Sequence, residues 1–297
     1  MKIKVGVQRY SLRSTLNSVP SHREHCTVDP VTLDELESAG SGLQQQIRVA
    51  RSADQFALYT VTQTHTGRAH TVRIGRDGLR RLGISNPSGQ ENFLDTQVTN
   101  TVLSEAEAQA DSELIERVSG TGGDLAVLAP HGGAIEKHTD EQAERVQEAL
   151  EDKSVRGWLC MGWKAGGGAS SRWHITSTEI SEFSFPLLGE LFERKYTHAV
   201  AFHGWTRNYI GVGGSADDEL KTQIVNAIKS TLRTAGSTIA VRRASSDLSG
   251  SSPNNIVNRI TTSGMNGIQL EQSKPARENY WDIIADAVAD VYRNLLP

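Results

Sequence analysis

The chain has few cysteines and few prolines, and it lacks long apolar runs. Only Cys26 and Cys160 occur among its 297 residues, which is too few for a disulfide framework or a thiolate zinc site, although one bridge stays open. No stretch approaches the roughly 20 apolar residues that cross a bilayer, so no membrane partner is expected. With 8 prolines, 22% charged and 37% hydrophobic residues, the composition is typical of a globular protein and not of a disordered one.

The sequence has no excess of positive charge either. Its formal net charge is -4, so the molecule has no cationic field that would gather nucleic acid, and nucleic acid is not expected as a partner. The first ten residues, MKIKVGVQRY, lack the apolar core and cleavage site of a secretory signal. We therefore expect a cytoplasmic protein, although release by cell lysis would leave no mark on the sequence.

From about residue 124 onward, short β-branched runs alternate with amphipathic helical patterns. This alternation predicts an α/β fold with a mixed, largely parallel sheet flanked by helices. Helices are predicted from about 140, after 215 and from about 278, and Thr139 and Gln142 have the spacing of a capping box at the first of them. Strands are predicted at 125–128, 158–161, 198–202, 238–241 and 267–270.

The segment 44–99 differs from the rest and predicts a small β-rich insert, with strands at 47–49, 56–61 and 71–74. The predicted domains are therefore 1–43 with 100–297, as the catalytic α/β domain, and 44–99 as the insert. A modest charge run usually faces water, but the arginines of the insert would also suit a docking patch for an anionic polymer. The insert contains seven arginines, Arg48, Arg51, Arg68, Arg73, Arg76, Arg80 and Arg81, against four acidic residues, Asp54, Asp77, Glu91 and Asp95.

Two predicted strands end in a histidine followed by glycine. The first reads A-V-L-A-P-H-G-G-A-I-E and ends at His131, and its two glycines let the chain turn so that Glu136 folds back toward the imidazole. The second reads H-A-V-A-F-H-G-W and ends at His203. If these strands are parallel neighbours, their carboxyl ends meet where open α/β sheets bind ligands. Two histidines and one glutamate are a ligand set of hydrolytic zinc sites, with a fourth position left for water.

A third predicted strand, N-G-I-Q-L-E-Q-S, ends in the carboxylate of Glu271. Zinc makes bound water acidic, and a nearby carboxylate can take its proton and pass it to a leaving nitrogen, so Glu271 is the predicted general base. A guanidinium would stabilise an oxyanion or bind a substrate carboxylate. Candidates close in sequence are Arg207, Arg259 and Arg277.

Four motifs occur in order: H-G-G-A-I-E at 131–136, F-H-G at 202–204, N-I-V-N-R at 255–259 and G-I-Q-L-E at 267–271. In this order the sequence resembles the poly-γ-glutamate hydrolase family, from about residue 124 to the C-terminus. The resemblance implies a zinc carboxypeptidase-like fold, one Zn²⁺ ion held by His131, Glu136 and His203, and cleavage of γ-linked glutamyl amide bonds with Glu271 as the catalytic carboxylate. The implied partner is an acidic peptide-like substrate such as poly-γ-glutamate.

Two alternatives stay open at this stage. The first is a zinc carboxypeptidase or deacylase that acts on small N-acyl amino acids. The second is a non-enzymatic, phage-type protein that keeps a structural metal and holds a polyanion with the arginines of the insert.

Overall fold

The computed structural model describes residues 9–14, 22–52, 54–84, 91–245 and 249–297. The chain divides into two compact units. The first, here called the barrel unit, comprises Met1–Leu114 and Lys164–Pro186, and the second, the sheet unit, comprises Ile115–Trp163 and Leu187–Pro297.

Six strands of the barrel unit form a closed barrel in the order β1-β5-β2-β4-β3-β6. Its interior is apolar, with Cys26, Ile47, Val49, Val72 and Ile74 fully buried. The strands are β1 (Arg9–Ser14), β2 (His25–Val28), β3 (Gln46–Ala50), β4 (Phe56–Thr64), β5 (Thr71–Ile74) and β6 (Glu91–Asp95), and the helices are α1 (Pro30–Ser38), α2 (Arg76–Arg81), α3 (Glu105–Asp111) and α5 (Ala169–Trp173). Closure removes the exposed strand edges that an isolated small sheet would have.

The predicted insert, 44–99, falls within this barrel. All three strands predicted there are present, as β3, β4 and β5, but β5 also pairs with β1 and β2, which precede residue 44. The two compact units therefore have other bounds than the predicted domains, because β1 and β2, which precede the insert, form backbone hydrogen bonds with its strand β5. The predicted division into domains stays a prediction, and its residues 1–8, 15–21, 53, 85–90 and 246–248 lie outside the described part of the chain.

Several arginines of the insert are engaged inside the barrel unit. Arg48 is buried, makes a two-point ion pair with Glu113 (Nη2···Oε2 2.8 Å) and donates to the carbonyl of Val98. Arg81 donates to the carbonyls of Leu58 and His174. These guanidinium groups satisfy buried acceptors and so have a structural role in the fold.

The sheet unit contains seven strands in the order β12-β11-β13-β10-β8-β9-β7. The pairs β8–β9, β8–β10, β10–β13 and β11–β12 are parallel, whereas β11–β13 is antiparallel. The strands are β7 (Leu114–Gly120), β8 (Leu125–Gly133), β9 (Val155–Gly162), β10 (His198–Trp205), β11 (Tyr209–Gly213), β12 (Ala240–Arg243) and β13 (Gly267–Ser273), and the helices are α4 (Thr139–Ala149), α6 (Pro186–Arg194), α7 (Asp218–Thr234), α8 (Ile256–Arg259) and α9 (Lys274–Leu295). The predicted α/β class with a mixed, largely parallel sheet and flanking helices is confirmed.

Helix α7 has the predicted amphipathic character, but one predicted helix cap, that of α4, is wrong. Asp217 caps α7 through its side chain, and the apolar face of that helix is buried through Leu220, Ile224, Ile228 and Leu232. Helix α4 begins after His138, which has a left-handed backbone (φ 73°) and makes no capping bond with its side chain. The capping box predicted for Thr139 and Gln142 is absent because the Gln142 amide instead pairs with that of Gln272 on β13.

Both cysteines are buried and free, so the single bridge left open by the sequence does not form. Among the described residues, no helix combines the length and the apolar character that crossing a bilayer requires.

The Arg48–Glu113 pair makes a testable contribution to stability. Replacing Glu113 with Ala leaves a buried guanidinium without its counter-charge, and we expect it to lower the free energy of unfolding by about 3–5 kcal/mol. Asp77→Ala is the matched control, because it breaks the exposed pair with Arg80 and should cost about 1 kcal/mol or less. Urea unfolding followed by circular dichroism measures both changes, and equal small losses would contradict the structural role of Glu113.

Candidate metal centre

Three strand ends meet at one edge of the sheet unit. Strand β10 lies between β8 and β13 and is parallel to both, so the carboxyl ends of the three strands point the same way. His203 of β10 is the direct register partner of Glu271 of β13, so their side chains leave the same face of the sheet. The edge predicted from the sequence thus exists, and it carries residues from all three strands.

A local irregularity at the end of β8 shapes the first motif. The pairing of β8 with β9 shifts register between Ala129 and Gly132. Such irregularities change the direction of nearby side chains and are common next to binding sites. Gly133 has a left-handed backbone (φ 65°), which is favourable for glycine and strained for residues with a Cβ. The chain then turns back, and the Glu136 N–H donates to the His131 carbonyl at 2.8 Å. This turn brings Glu136 beside the imidazole five residues earlier.

Three donor atoms converge here from residues 131, 136 and 203. The His131 Nδ1 lies 3.1 Å from the His203 Nδ1 and 3.2 Å from the Glu136 Oε2, and the His203 Nδ1 lies 3.5 Å from the same carboxylate oxygen. Both histidines are 2% exposed and Glu136 is 9% exposed. The structure therefore brings together the three residues that the sequence predicted as ligands.

The spacing of these atoms can be compared with that of a metal site. Zinc bonds of 2.0–2.2 Å to nitrogen and oxygen in a tetrahedron put neighbouring ligand atoms about 3.3 Å apart. The three observed separations of 3.1, 3.2 and 3.5 Å fall around that value. Two imidazole nitrogens and one carboxylate oxygen are also a donor set that suits Zn²⁺, so the residues present fit one such ion.

Glu136 is held as an anion in this buried place. Burial raises the pKa of its carboxyl, but the charges and hydrogen bonds of His131 and His203 outweigh burial and keep that pKa well below its ordinary value. The backbone N–H of Gly204 also donates to Oε2 at 2.8 Å. The carboxylate is thus oriented by the strand that carries the second histidine.

The pKa of the second carboxylate, Glu271, is shifted in the opposite direction. Burial, followed by the negative charge of Glu136, raises its pKa well above the ordinary value, and Gln269, Arg277 and Arg207 only partly offset this. The Gln269 amide donates to its Oε1 at 2.9 Å. A carboxyl whose pKa is raised in this way is suited to exchange protons.

The predicted arginines separate into two groups. Arg277 lies in the first turns of α9 with its guanidinium against Gly204, and both it and Arg207 influence the pKa of Glu271. Arg259 lies elsewhere: its guanidinium packs on Phe192, and its carbonyl accepts from Lys195, near the start of β10. Five residues of strand, about 16 Å, separate His198 from His203, so the structure does not bring Arg259 to the other predicted residues.

The motif that contains Arg259 contributes a different residue to the site. Asn255 uses its Oδ1 to accept from the Val257 N–H, which turns its amide nitrogen toward Gln269 Oε1 at 2.6 Å. Gln269 in turn presents its own amide nitrogen to Glu271. Sequence reasoning missed this chain of amides. The available signal was the alternation within G-I-Q-L-E, which puts Gln269 and Glu271 on one face.

Comparison with known proteins identifies the family of the chain. A family model described as poly-gamma-glutamate hydrolase matches residues 99–289, which is more than half of the 297 residues. The chain belongs to this family, and the resemblance inferred from its four motifs is confirmed.

Individual relatives are similar over part of their length. The SPbeta prophage-derived UPF0714 protein YoqZ of Bacillus subtilis (strain 168) is 34% identical over 160 residues, which cover 53% of this chain and 52% of that protein. The chain thus spans about half the length of this curated relative. A bacteriophage poly-gamma-glutamate hydrolase structure is 26% identical with a TM-score of 0.47, covering 66% of this chain and 98% of that one. A metallo-carboxypeptidase structure from Burkholderia cenocepacia is 9% identical with a TM-score of 0.42, covering 85% and 81%.

Asp140, next to the first motif, makes stability depend on pH. Burial, reinforced by Glu141, raises the pKa of Asp140 from 3.8 to about 7. The folded protein therefore keeps a proton that the unfolded chain releases near pH 4, and stability falls as the pH rises from about 4 to about 7. We expect Asp140→Asn to be more stable than the parent at pH 8, by an amount on the order of 4 kcal/mol, and to lose this advantage near pH 4.

Thermal unfolding at pH 4, 6 and 8 measures this effect. Glu148→Gln, an exposed position on the same helix, is the control and should follow the parent at each pH. A stability difference for Asp140→Asn that does not change with pH would contradict the assignment of the raised pKa to this carboxyl.

Proposed function

We propose that the protein is a zinc-dependent amide hydrolase that cleaves γ-glutamyl bonds in poly-γ-glutamate or a similar acidic chain. The observation that carries the proposal is the buried triangle of His131, Glu136 and His203, with sides of 3.1–3.5 Å, in a member of the poly-gamma-glutamate hydrolase family. In this proposal these three residues hold one Zn²⁺ ion and leave a fourth position open.

In the proposed hydrolysis, the metal and Glu271 have separate roles. Zinc bound there would supply a Lewis acid that polarises the amide carbonyl and makes water acidic near neutral pH. Glu271 takes a proton from the attacking water and passes it to the nitrogen of the leaving amine. Its position supports this role, since it is the register partner of the ligand His203, and its raised pKa favours holding a proton between the two transfers.

In this proposal, Arg277 and Arg207 bind carboxylates of the substrate. Both lie close enough to Glu271 to lower its pKa, so their charges are felt where the scissile bond would lie. A guanidinium binds a carboxylate with two parallel hydrogen bonds, which orients a substrate as well as attracting it. Arg259, which packs on Phe192, has no part in the proposed site.

The alternatives have less support. A carboxypeptidase or deacylase for small N-acyl amino acids would use the same metal ligands, and the choice of substrate distinguishes it. A phage-type protein that binds a polyanion through the arginines of the insert is disfavoured, because Arg48 and Arg81 are engaged in the interior contacts of the barrel unit.

The decisive experiment combines metal analysis with turnover. Purified protein is incubated with poly-γ-glutamate and, separately, with short N-acyl amino acids, with and without a chelator. We expect cleavage of the polymer, about one zinc per chain by elemental analysis, and loss of activity on chelation. Cleavage of the small amides alone would favour the first alternative, and cleavage of neither substrate by zinc-loaded protein would reject the proposed function.

Two substitutions separate the roles of ligand and base. His203→Ala should lose zinc and activity together, whereas Glu271→Gln should keep zinc and lose turnover by a factor of at least about 10². Glu219→Gln, an exposed carboxylate at the start of α7, is the control and should leave both unchanged. Equal activity in all three variants would refute these assignments.

The hydrogen bond from Gln269 to Glu271 leads to a prediction about the pH dependence of activity. Its amide donates to the Glu271 carboxylate and so favours the ionised form. In Gln269→Leu this donor is lost and the pKa of Glu271 rises further, so the acid limb of kcat/KM should move to higher pH while zinc content stays constant. An acid limb that does not move would show that Gln269 does not tune the catalytic carboxyl.

A further inference from the structure

The four strands beyond β8 align one residue from each in a single row. His203 of β10 pairs with Glu271 of β13, Glu271 pairs with Gly211 of β11, and Gly211 pairs with Arg242 of β12. Directly paired residues point to the same face of a sheet. Arg242 therefore shares a face with the histidine and the glutamate of the candidate metal centre, two strands, or about 9.5 Å, from Glu271.

Gly211 leaves room in this row for an aromatic ring. A Cβ at this position would come within 2.6 Å of Cη2 of Trp205, so the indole covers the glycine between Glu271 and Arg242. The Trp205 Nε1 donates to the Tyr209 carbonyl at 2.7 Å, and the two rings pack edge to face at 4.5 Å. The row is thus continuous from the candidate metal centre to Arg242, and the Trp205 and Tyr209 rings form an aromatic floor beside it.

Two guanidinium groups converge on this floor. The Arg242 Cζ lies 3.7 Å from the centre of the Tyr209 ring. Arg207 donates to the Tyr209 hydroxyl at 3.1 Å, and its Cζ lies 5.3 Å from the centre of the Trp205 ring. Stacking on aromatic rings orients guanidinium groups, whose planar shape matches that of a carboxylate. Two guanidinium groups beside one phenol hydroxyl are suited to bind a carboxylate.

We propose that Arg242, Arg207 and Tyr209 form a second carboxylate-binding subsite, which holds an acidic side group of the same γ-linked chain beyond the scissile bond. This proposal rests on the proposed function and deepens it. A γ-glutamyl unit has two more main-chain carbons than an α-peptide unit and spans about 6 Å when extended. One or two units therefore cover the 9.5 Å between Glu271 and Arg242, and a chain of several glutamates is bound better than a single one.

The chain offers a matched control beside Arg242. Arg243 is the next residue of β12, is also exposed, and points to the opposite face, where it pairs with Asp218. Arg243→Gln removes the same charge from the same strand without touching the row. Any effect of net charge alone is therefore the same in Arg242→Gln and Arg243→Gln. A difference in KM or affinity between the two variants measures the contribution of the proposed subsite.

The test is steady-state cleavage of γ-linked glutamate oligomers from two to eight residues by the zinc-loaded parent and both variants. For the octamer, we expect Arg242→Gln to raise KM at least tenfold with kcat within twofold. For the shortest oligomer that is cleaved, we expect little change, and Arg243→Gln should follow the parent throughout. Equal increases in KM for both variants, or no increase in Arg242→Gln, would overturn the proposal.

A binding measurement separates this proposal from the proposed function. Titration calorimetry measures binding of the octamer to Glu271→Gln protein, alone and combined with Arg242→Gln or Arg243→Gln. Tyr209→Phe, in the same background, tests whether the Tyr209 hydroxyl contributes to octamer binding. If the parent cleaves nothing, the proposed function fails, yet a selective loss of octamer binding in Arg242→Gln would still support the subsite. If the parent cleaves the polymer and the Arg242 and Arg243 variants bind equally, the subsite fails alone.

Discussion

The site depends on one constraint, the parallel pairing of β8 with β10, which brings the ends of two apolar strands side by side. The pairing places the imidazoles of His131 and His203 with their Nδ1 atoms 3.1 Å apart, and the turn after His131 adds Glu136 to them. A buried carboxylate between two buried imidazoles is costly unless a positive charge repays its loss of hydration. The proposed divalent cation would supply that charge, which would link metal binding to the stability of the fold.

The same constraint separates the roles of the two carboxylates. Glu136 accepts from the Gly204 N–H and faces both imidazoles, so its pKa stays low. Glu271 is half-buried on the strand next to β10, and both its desolvation and the charge of Glu136 raise its pKa. Two acids in one site whose environments push their pKa values apart are suited to different tasks, one as a permanent anion and the other as a proton carrier. The difference in pKa follows from the neighbours that the fold gives each carboxylate: both histidines for Glu136, and the charge of Glu136 for Glu271.

Much of this was predictable from sequence because the signals were local. Apolar runs ending in histidine or glutamate identified β8, β10 and β13, and the glycines after His131 indicated the turn to Glu136. The failures involve partners that are distant in sequence. Gln142 pairs with Gln272 across 130 residues instead of capping its own helix, and β5 of the predicted insert pairs with β1 and β2, which precede the insert boundary. Proximity in sequence suggested Arg259, but the structure uses Asn255 from the same motif.

Arg242 shows why charge counts could not reveal how an acidic chain would be held. The whole molecule carries a net charge of -4, so long-range attraction would not gather a polyanion, and in the proposed function affinity comes from a few guanidinium groups in fixed positions. A flexible arginine loses side-chain entropy when it binds, whereas one stacked on an aromatic ring has already lost part of it. The register that aligns Arg242 with Glu271 through Gly211, together with its stacking on Tyr209, supplies this preorganisation. In the proposed function, substrate selection therefore depends on sheet register as much as on the candidate metal centre.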